Sequence, residues 1–151
     1  MPPEPALDTT VQGRCYCGGV RFTVRVPADT APIFTAYCHC DSCRRAHAAP
    51  LYQVVCIDRE HLHIDEGVDL LQDYQRTPAA PVRSFCRACG TRIHNTFGDW
   101  KPKGRTPLVF FPSLLEPSDQ ARMPPSWVPR HHNEPESCVL EWDFLTRIQP
   151  G

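Results

Sequence analysis

Apolar and polar positions along the chain predict short strands separated by long, proline-punctuated connections. Val20, Phe22, Val24 and Val26 alternate with Arg21, Thr23 and Arg25, the period of a strand with one buried face. Gly18-Gly19 just before it can supply the positive φ of a tight turn. Pro27 and Pro32 bracket a loop, and Ile33 to Tyr37 reads as the next strand. Cys43-Arg-Arg-Ala-His-Ala-Ala predicts one or two helical turns that end before Pro50. Leu51 to Asp58, rich in β-branched and aromatic residues, reads as a buried strand. Further short strands are expected at His61–Ile64, Leu71–Gln75, Val82–Phe85, Arg92–Phe97 and Leu108–Phe111, with Gly67 at a turn. Pro112 to Pro135 is loop-heavy, and a last strand is expected at Cys138–Trp142. Residues 1–11 are Pro-rich and aperiodic and read as a flexible leader, 12–145 as one domain, and 146–151 as a C-terminal tail. The predicted fold class is mainly β.

Composition narrows the function classes. A length of 151 residues makes one domain the default. Seventeen prolines argue against a helical bundle, because each interior Pro costs a helix about 3 kcal/mol. The formal net charge of -1 offers no basic field for a phosphate backbone, which disfavours nucleic acid as a partner. No run of about 18 apolar residues is present, and Met1 to Thr10 has no apolar h-region, so the expectation is a cytoplasmic protein without a membrane partner.

The nine cysteines change the picture most. Seven of them fall in tight groups, Cys15-Tyr-Cys17, Cys38-His-Cys40-Asp-Ser-Cys43 and Cys86-Arg-Ala-Cys89. Partners one or two residues apart close strained disulfide rings, whereas their sulfurs converge easily on one cation. A structural zinc site takes four thiolate or imidazole ligands, usually as two short pairs from two turns. Cys15/Cys17 and Cys86/Cys89 fit that description, each pair beside a turn glycine, Gly18 or Gly90. A different distribution joins Cys38, Cys40 and Cys43 to a distant cysteine. Cys56 and Cys138 read most simply as small core residues.

The compact trio has two readings. Three protein ligands and an open fourth position make a catalytic zinc site. A fourth ligand from His39, His47, Asp41 or a remote histidine would make a second closed one. Three thiolates on Zn²⁺ leave a local charge of about -1, which weakens the metal as a Lewis acid and disfavours water activation. A soft, thiolate-rich ion suits a fourth sulfur better. The expected partner is therefore a small-molecule thiol or thiol adduct.

Three stretches carry a resemblance: Gly-Arg-Cys-Tyr-Cys-Gly-Gly-Val-Arg-Phe (13–22), Tyr-Cys-His-Cys-Asp-Ser-Cys-Arg-Arg-Ala (37–46) and Ser-Phe-Cys-Arg-Ala-Cys-Gly-Thr (84–91). Together they resemble the glutathione-dependent formaldehyde-activating enzyme family, which also includes centromere protein V. A weaker echo of its C-terminal histidine-bearing segment lies at residues 129–140. The resemblance implies a β-tent fold of layered antiparallel sheets stapled by zinc, with two Zn²⁺ per chain. It implies a structural zinc at Cys15, Cys17, Cys86 and Cys89, and a catalytic zinc at Cys38, Cys40 and Cys43. It also implies carbon–sulfur lyase chemistry, with glutathione as the founding thiol. After Arg45 the family commonly has Ala-Thr-Gly, whereas this chain has Ala46-His47-Ala48. Loss of that glycine narrows backbone freedom beside the metal, and His47 adds a ligand or general base.

In the expected mechanism zinc holds a thiolate against an electrophilic carbon while His47, His131 or a water moves the proton. Arg44 and Arg45 follow the trio and are candidates to bind a substrate carboxylate, where a planar guanidinium fits well. His39, between two ligands, should point away from the metal. Two other readings keep the domain: a non-enzymatic zinc module that binds another macromolecule, and a biosynthetic tailoring enzyme acting on a larger organic substrate. Oligomeric state has no sequence correlate here.

Overall fold

The computed structural model describes residues 8–139. Along the chain run β1 (Thr9–Arg14), β2 (Arg21–Val26), β3 (Phe34–Cys38), α1 (Asp41–His47), β4 (Tyr52–Asp58) and β5 (Leu62–Glu66). They are followed by β6 (Leu71–Tyr74), β7 (Val82–Cys86), β8 (Arg92–Thr96), β9 (Pro107–Phe110), α2 (Pro117–Gln120) and β10 (His132–Asn133). Short 3-10 turns fill several connections, many of them opened by a proline whose fixed φ suits a first helical position. The mainly-β expectation holds.

Two sheets form. The smaller has the antiparallel order β1-β2-β5, and the larger has the order β10-β3-β4-β9-β8-β7-β6. Every ladder is antiparallel except β10 on β3. The alternation read from β2 is the one observed: Phe22, Val24 and Val26 are buried, and Arg21 and Arg25 are exposed. These side chains pack with Val55 and Ile57 of β4, Leu108 and Phe110 of β9, Ile93 of β8, and Trp127. The intervening residues Val54, Cys56 and Val109 join Ala36 and Phe111 in a second cluster. Strand β4 is thus covered on both faces, which is why its sequence is continuously apolar rather than alternating. Cys56 is the core residue expected of it, and burial pushes its thiol up to about 12.

Strand β1 corrects the sequence reading. The expected leader runs to residue 11, but pairing begins at Thr9, opposite Val26. The strand escapes pattern recognition because one of its two inward positions is Gly13, where the Phe22 ring occupies the place a Cβ would take, 2.4 Å away. The helix also starts at Asp41, two residues earlier than expected, and ends at His47. The last strand expected at Cys138–Trp142 and the tail at 146–151 fall largely outside the described residues. Cys138 and Val139, which are described, are not in a strand. Gly67 stands at the predicted turn, at φ 76°, where a Cβ would lie 2.0 Å from the Gly19 carbonyl oxygen.

Two features of the frame have measurable consequences. Ala48 caps α1 in the left-handed region at φ 50°, the conformation that favours glycine. Ala48→Gly is expected to raise stability by about 0.5–1 kcal/mol in denaturant titration. Asp119, 6% exposed, accepts the Gln12 backbone N–H at 2.7 Å and pairs with Arg122, tying α2 to β1. The Gln12 hydrogen bond, then Arg122, hold its carboxyl below the usual range against burial. That contribution is present above the unfolded carboxylate pKa and is lost as pH falls through the folded one. Asp119→Asn should cost about 1–2 kcal/mol at pH 7, and the gap from wild type should close as pH drops below about 4.

Candidate metal centre

The first cysteine group is assembled from two turns. Cys15 and Cys17 lie in the connection from β1 to β2, Cys86 ends β7, and Cys89 lies in the turn to β8. Each turn closes on a glycine at positive φ, Gly18 at 76° and Gly90 at 79°. Gly18 N–H donates to the Cys15 carbonyl at 3.0 Å, and Gly90 N–H to the Cys86 carbonyl at 2.7 Å. The two turns meet through the Tyr16 N–H, which donates to Thr91 Oγ1 at 3.1 Å.

The four sulfurs lie within 4.8 Å of one another. Sγ–Sγ is 3.5 Å from Cys15 to Cys17 and 3.9 Å from Cys17 to Cys86. A tetrahedron of thiolates about 2.3 Å from zinc has edges of about 3.8 Å, so the donor set fits that ion in kind and in spacing. Val20 N–H donates to Cys15 Sγ at 3.2 Å, which orients one ligand. Against burial, hydrogen bonds from Thr91 and from the Cys17 backbone hold the Cys89 thiol down to about 6.

The second group sits where β3 runs into α1. Cys38 is the last residue of β3 and is buried, Cys40 is the helix N-cap, and Cys43 lies in the first turn. Cys40 Sγ accepts the Cys43 N–H at 3.3 Å, doing the work that Ser or Asp usually does at this position. The three sulfurs lie within 4.8 Å of one another, and among the described residues no fourth His, Cys, Asp or Glu joins them. The alternatives in which His39, His47, Asp41 or a distant cysteine completes the set are not what the side chains adopt within residues 8–139.

Several residues around this trio were not singled out from the sequence. Arg83 on β7 is 7% exposed and directs Nη2 at Cys43 Sγ, 3.6 Å away, with Nη1 3.4 Å from His47 Nε2. The Tyr52 hydroxyl hydrogen-bonds Cys43, and Asn133 Nδ2 donates to Cys38 Sγ at 3.8 Å. The Cys43 thiol is held down to about 4, first by hydrogen bonding from Cys38 and then, against burial, by Tyr52, Cys40 and Arg83. Cys38 is pushed up in return. A bulge between Ser84 and Phe85 interrupts the β7 alternation, so strand period alone does not reveal that Arg83 is buried.

The predicted site residues distribute unevenly. His47 is stacked on Tyr52, with centroids 4.2 Å apart, and lies edge-on to Phe111 at 4.8 Å. Burial, then Arg83 and Arg92, push its imidazole down to about 4, so it is neutral at physiological pH. His131 is exposed, and its carbonyl accepts the Tyr37 N–H at 3.2 Å. Its neighbour His132 turns inward, with Nδ1 2.8 Å from Nε2 of the fully buried His39. Arg44 donates to the His39 carbonyl at 3.0 Å and pairs with Asp41. Arg45 grips both Asp41 oxygens, at 2.9 and 3.0 Å, and remains largely exposed. Trp127 is core against Phe110, while Trp100 packs on Phe97 and Phe34. Trp142 lies outside the described residues.

Two cavities flank α1. One of about 420 Å³ is lined by His47, Tyr52, Thr91, Arg92 and Phe111. The other, about 340 Å³, lies on the side of Arg45 and Arg83. Among the described residues no helix is long and apolar enough to cross a membrane.

Comparison with known proteins agrees with this arrangement. A crystal structure of a Rhodobacter sphaeroides protein superposes with a TM-score of 0.53 at 22% identity, covering 70% of this chain and 88% of that one, a likeness of fold. The family model described as "Glutathione-dependent formaldehyde-activating enzyme" matches residues 10–123, a span that contains both cysteine groups, Arg83 and all of α1. With most of its length inside that match, the chain belongs to the glutathione-dependent formaldehyde-activating enzyme family.

Proposed function

We propose that the protein is a zinc-dependent carbon–sulfur lyase-type enzyme that makes or breaks a thiol adduct at Cys38, Cys40 and Cys43. The observation that carries this reading is a three-sulfur group with no fourth protein ligand among the described residues. Family membership supports it, since the family is named for glutathione and formaldehyde. The four-sulfur group is assigned a structural zinc, for two ions per chain. Zinc bound by three thiolates supplies a soft acceptor that favours a further thiol in its ionised form.

The rest of the chemistry falls to the chain's own side chains. Asn133, Tyr52 and Arg83 donate to the ligand sulfurs, fixing their orientation and offsetting their negative charge. Arg83 donates through Nη1 to His47 Nε2, which leaves the His47 proton on Nδ1. With so low a proton affinity, His47 serves better to hold Arg83 than to store a proton. Exposed His131, or water, is then the carrier that exchanges the proton with solvent. Arg44 is assigned to anchoring the helix, and Arg45 to substrate contact. For an aldehyde and a thiol, the carbon–sulfur bond forms as the carbonyl π bond opens. The thiol proton ends on the former carbonyl oxygen, with no oxidation or reduction.

Metal analysis of the purified protein should return close to two zinc per chain. Cys89→Ser should lower Tm sharply and bring chelator-induced unfolding within reach, since structural zinc contributes on the order of 10 kcal/mol to folding. Cys40→Ser should retain the fold with about one zinc and lose thiol binding, measured by the charge-transfer absorption of the cobalt-substituted protein on titration with a thiol. Turnover that proceeds without any thiol, or a trio closed by a fourth side chain in the metal-loaded protein, would overturn the lyase reading.

A further inference from the structure

Against Asp41, Ser42, Arg45 and Ala46 of α1 lies the cavity of about 340 Å³. Four guanidinium groups line it, from Arg45, Arg76, Arg83 and Arg92, with Asp41 as its carboxylate. Asp41 is already engaged, because Arg45 takes both of its oxygens and Arg44 adds a longer contact. Among the described residues no carboxylate pairs with Arg76, Arg83 or Arg92. Arg83 faces Cys43 and offsets the charge of the sulfur trio. The charge of Arg92 is left over, and Arg76 shares Asp41 at longer range with Arg45 and Arg44, so the cavity keeps an excess of positive charge.

Arg92 is held rather than free. Its Nε donates to the Ala46 carbonyl at 3.2 Å, and its guanidinium lies over the Phe85 ring, 5.1 Å from the centroid. Its Nη1 is buried and has no hydrogen-bond partner. With Nε and Nη1 taken up inside the protein and no carboxylate beside it among the described residues, the charge of Arg92 is uncompensated, which favours an oxyanion in the cavity its side chain lines. Burial and the neighbouring Arg83 disfavour the charge on Arg92, a strain that an anion would relieve.

We propose that this cavity is an oxyanion subsite in which Arg92 and Arg76, flanked by Arg45 and Arg83, bind a carboxylate or phosphate group of the substrate. That the anion belongs to the thiol substrate rests on the lyase reading; that the cavity binds an oxyanion does not. Arg83 is the physical link, since one guanidinium both lines the cavity and touches Cys43. A ligand with its sulfur at the trio and an acidic group in the cavity would contact opposite sides of that side chain.

The test uses the zinc-loaded protein and two sulfur-free probes, inorganic phosphate and succinate, followed by Nε–Hε NMR of the arginine side chains and by calorimetry. Saturable binding that shifts the Arg92 signal is expected, and the tighter probe identifies the oxyanion class. Arg92→Gln should weaken binding by about tenfold or more, equivalent to about 1.4 kcal/mol. Arg92→Lys, which keeps charge but not the planar fork, should recover part of it. Arg76→Gln, at an exposed position, should weaken binding without threatening the fold. Binding that survives in Cys40→Ser supports the cavity, while binding lost there marks an anion held by the metal and overturns the proposal. Absence of saturable binding by either probe overturns it as well. Anion binding without thiol binding would sink the lyase reading and leave the subsite standing.

Discussion

Four sulfurs from two distant turns must lie within 4.8 Å of one another, and the rest of the architecture answers to that requirement. One turn follows β1 in the three-stranded sheet, and the other follows β7 in the seven-stranded sheet. Joining them brings the two sheets face to face, with Phe22 and Val24 of one against Val55, Ile57 and Phe110 of the other. A chain with this many short strands and prolines gains little from local propensity, so long-range cross-links carry more of the specification. A metal in the four-sulfur group would close a loop of roughly 70 residues, which removes much more freedom from the unfolded chain than from the folded one.

The second group borrows its precision from the first. Strands β7 and β8, anchored at Cys86, carry Arg83 and Arg92 against the helix that holds Cys43. Strand β3 delivers Cys38, and the parallel ladder from β10 places Asn133 opposite it. Three separate segments therefore meet at one short helix whose own hydrogen bonds could not hold it alone. The helix is fixed by Cys40 at its start, by Asp41 with Arg45 along its face, and by Arg92 on the Ala46 carbonyl near its end.

Charge is what distinguishes the two groups. The four-sulfur group is surrounded by backbone N–H groups and Thr91, donors that orient ligands without adding charge. The trio is flanked by guanidinium groups, two of them at least half-buried, and by a neutral imidazole. Buried positive charge beside three sulfurs offsets the negative charge that three thiolates would carry. The first environment surrounds its sulfurs with neutral donors, and the second with cationic ones.

The cysteine spacing named the short groups that could share an ion, because sulfurs one to three residues apart converge easily on a common cation, whereas the meeting of Cys15 and Cys17 with Cys86 and Cys89 was decided by the fold. Period-two alternation likewise made β2 legible, and the β-branched, aromatic run made β4 legible, since those patterns record burial directly. Strand β1 was not legible, because Gly13 is made inward-facing by a Phe22 ring that belongs to another strand. Arg83 and Arg92 were not legible either. A charged residue in a strand ordinarily faces water, and only the sheet packing turns these two toward Cys43 and Ala46. The choice of His132 over His131 as the inward imidazole was decided the same way, by the register of β10 on Tyr37 and Cys38. Local chemistry can name ligands, but neighbours brought together from far along the chain depend on pairing and register, which only the folded structure fixes.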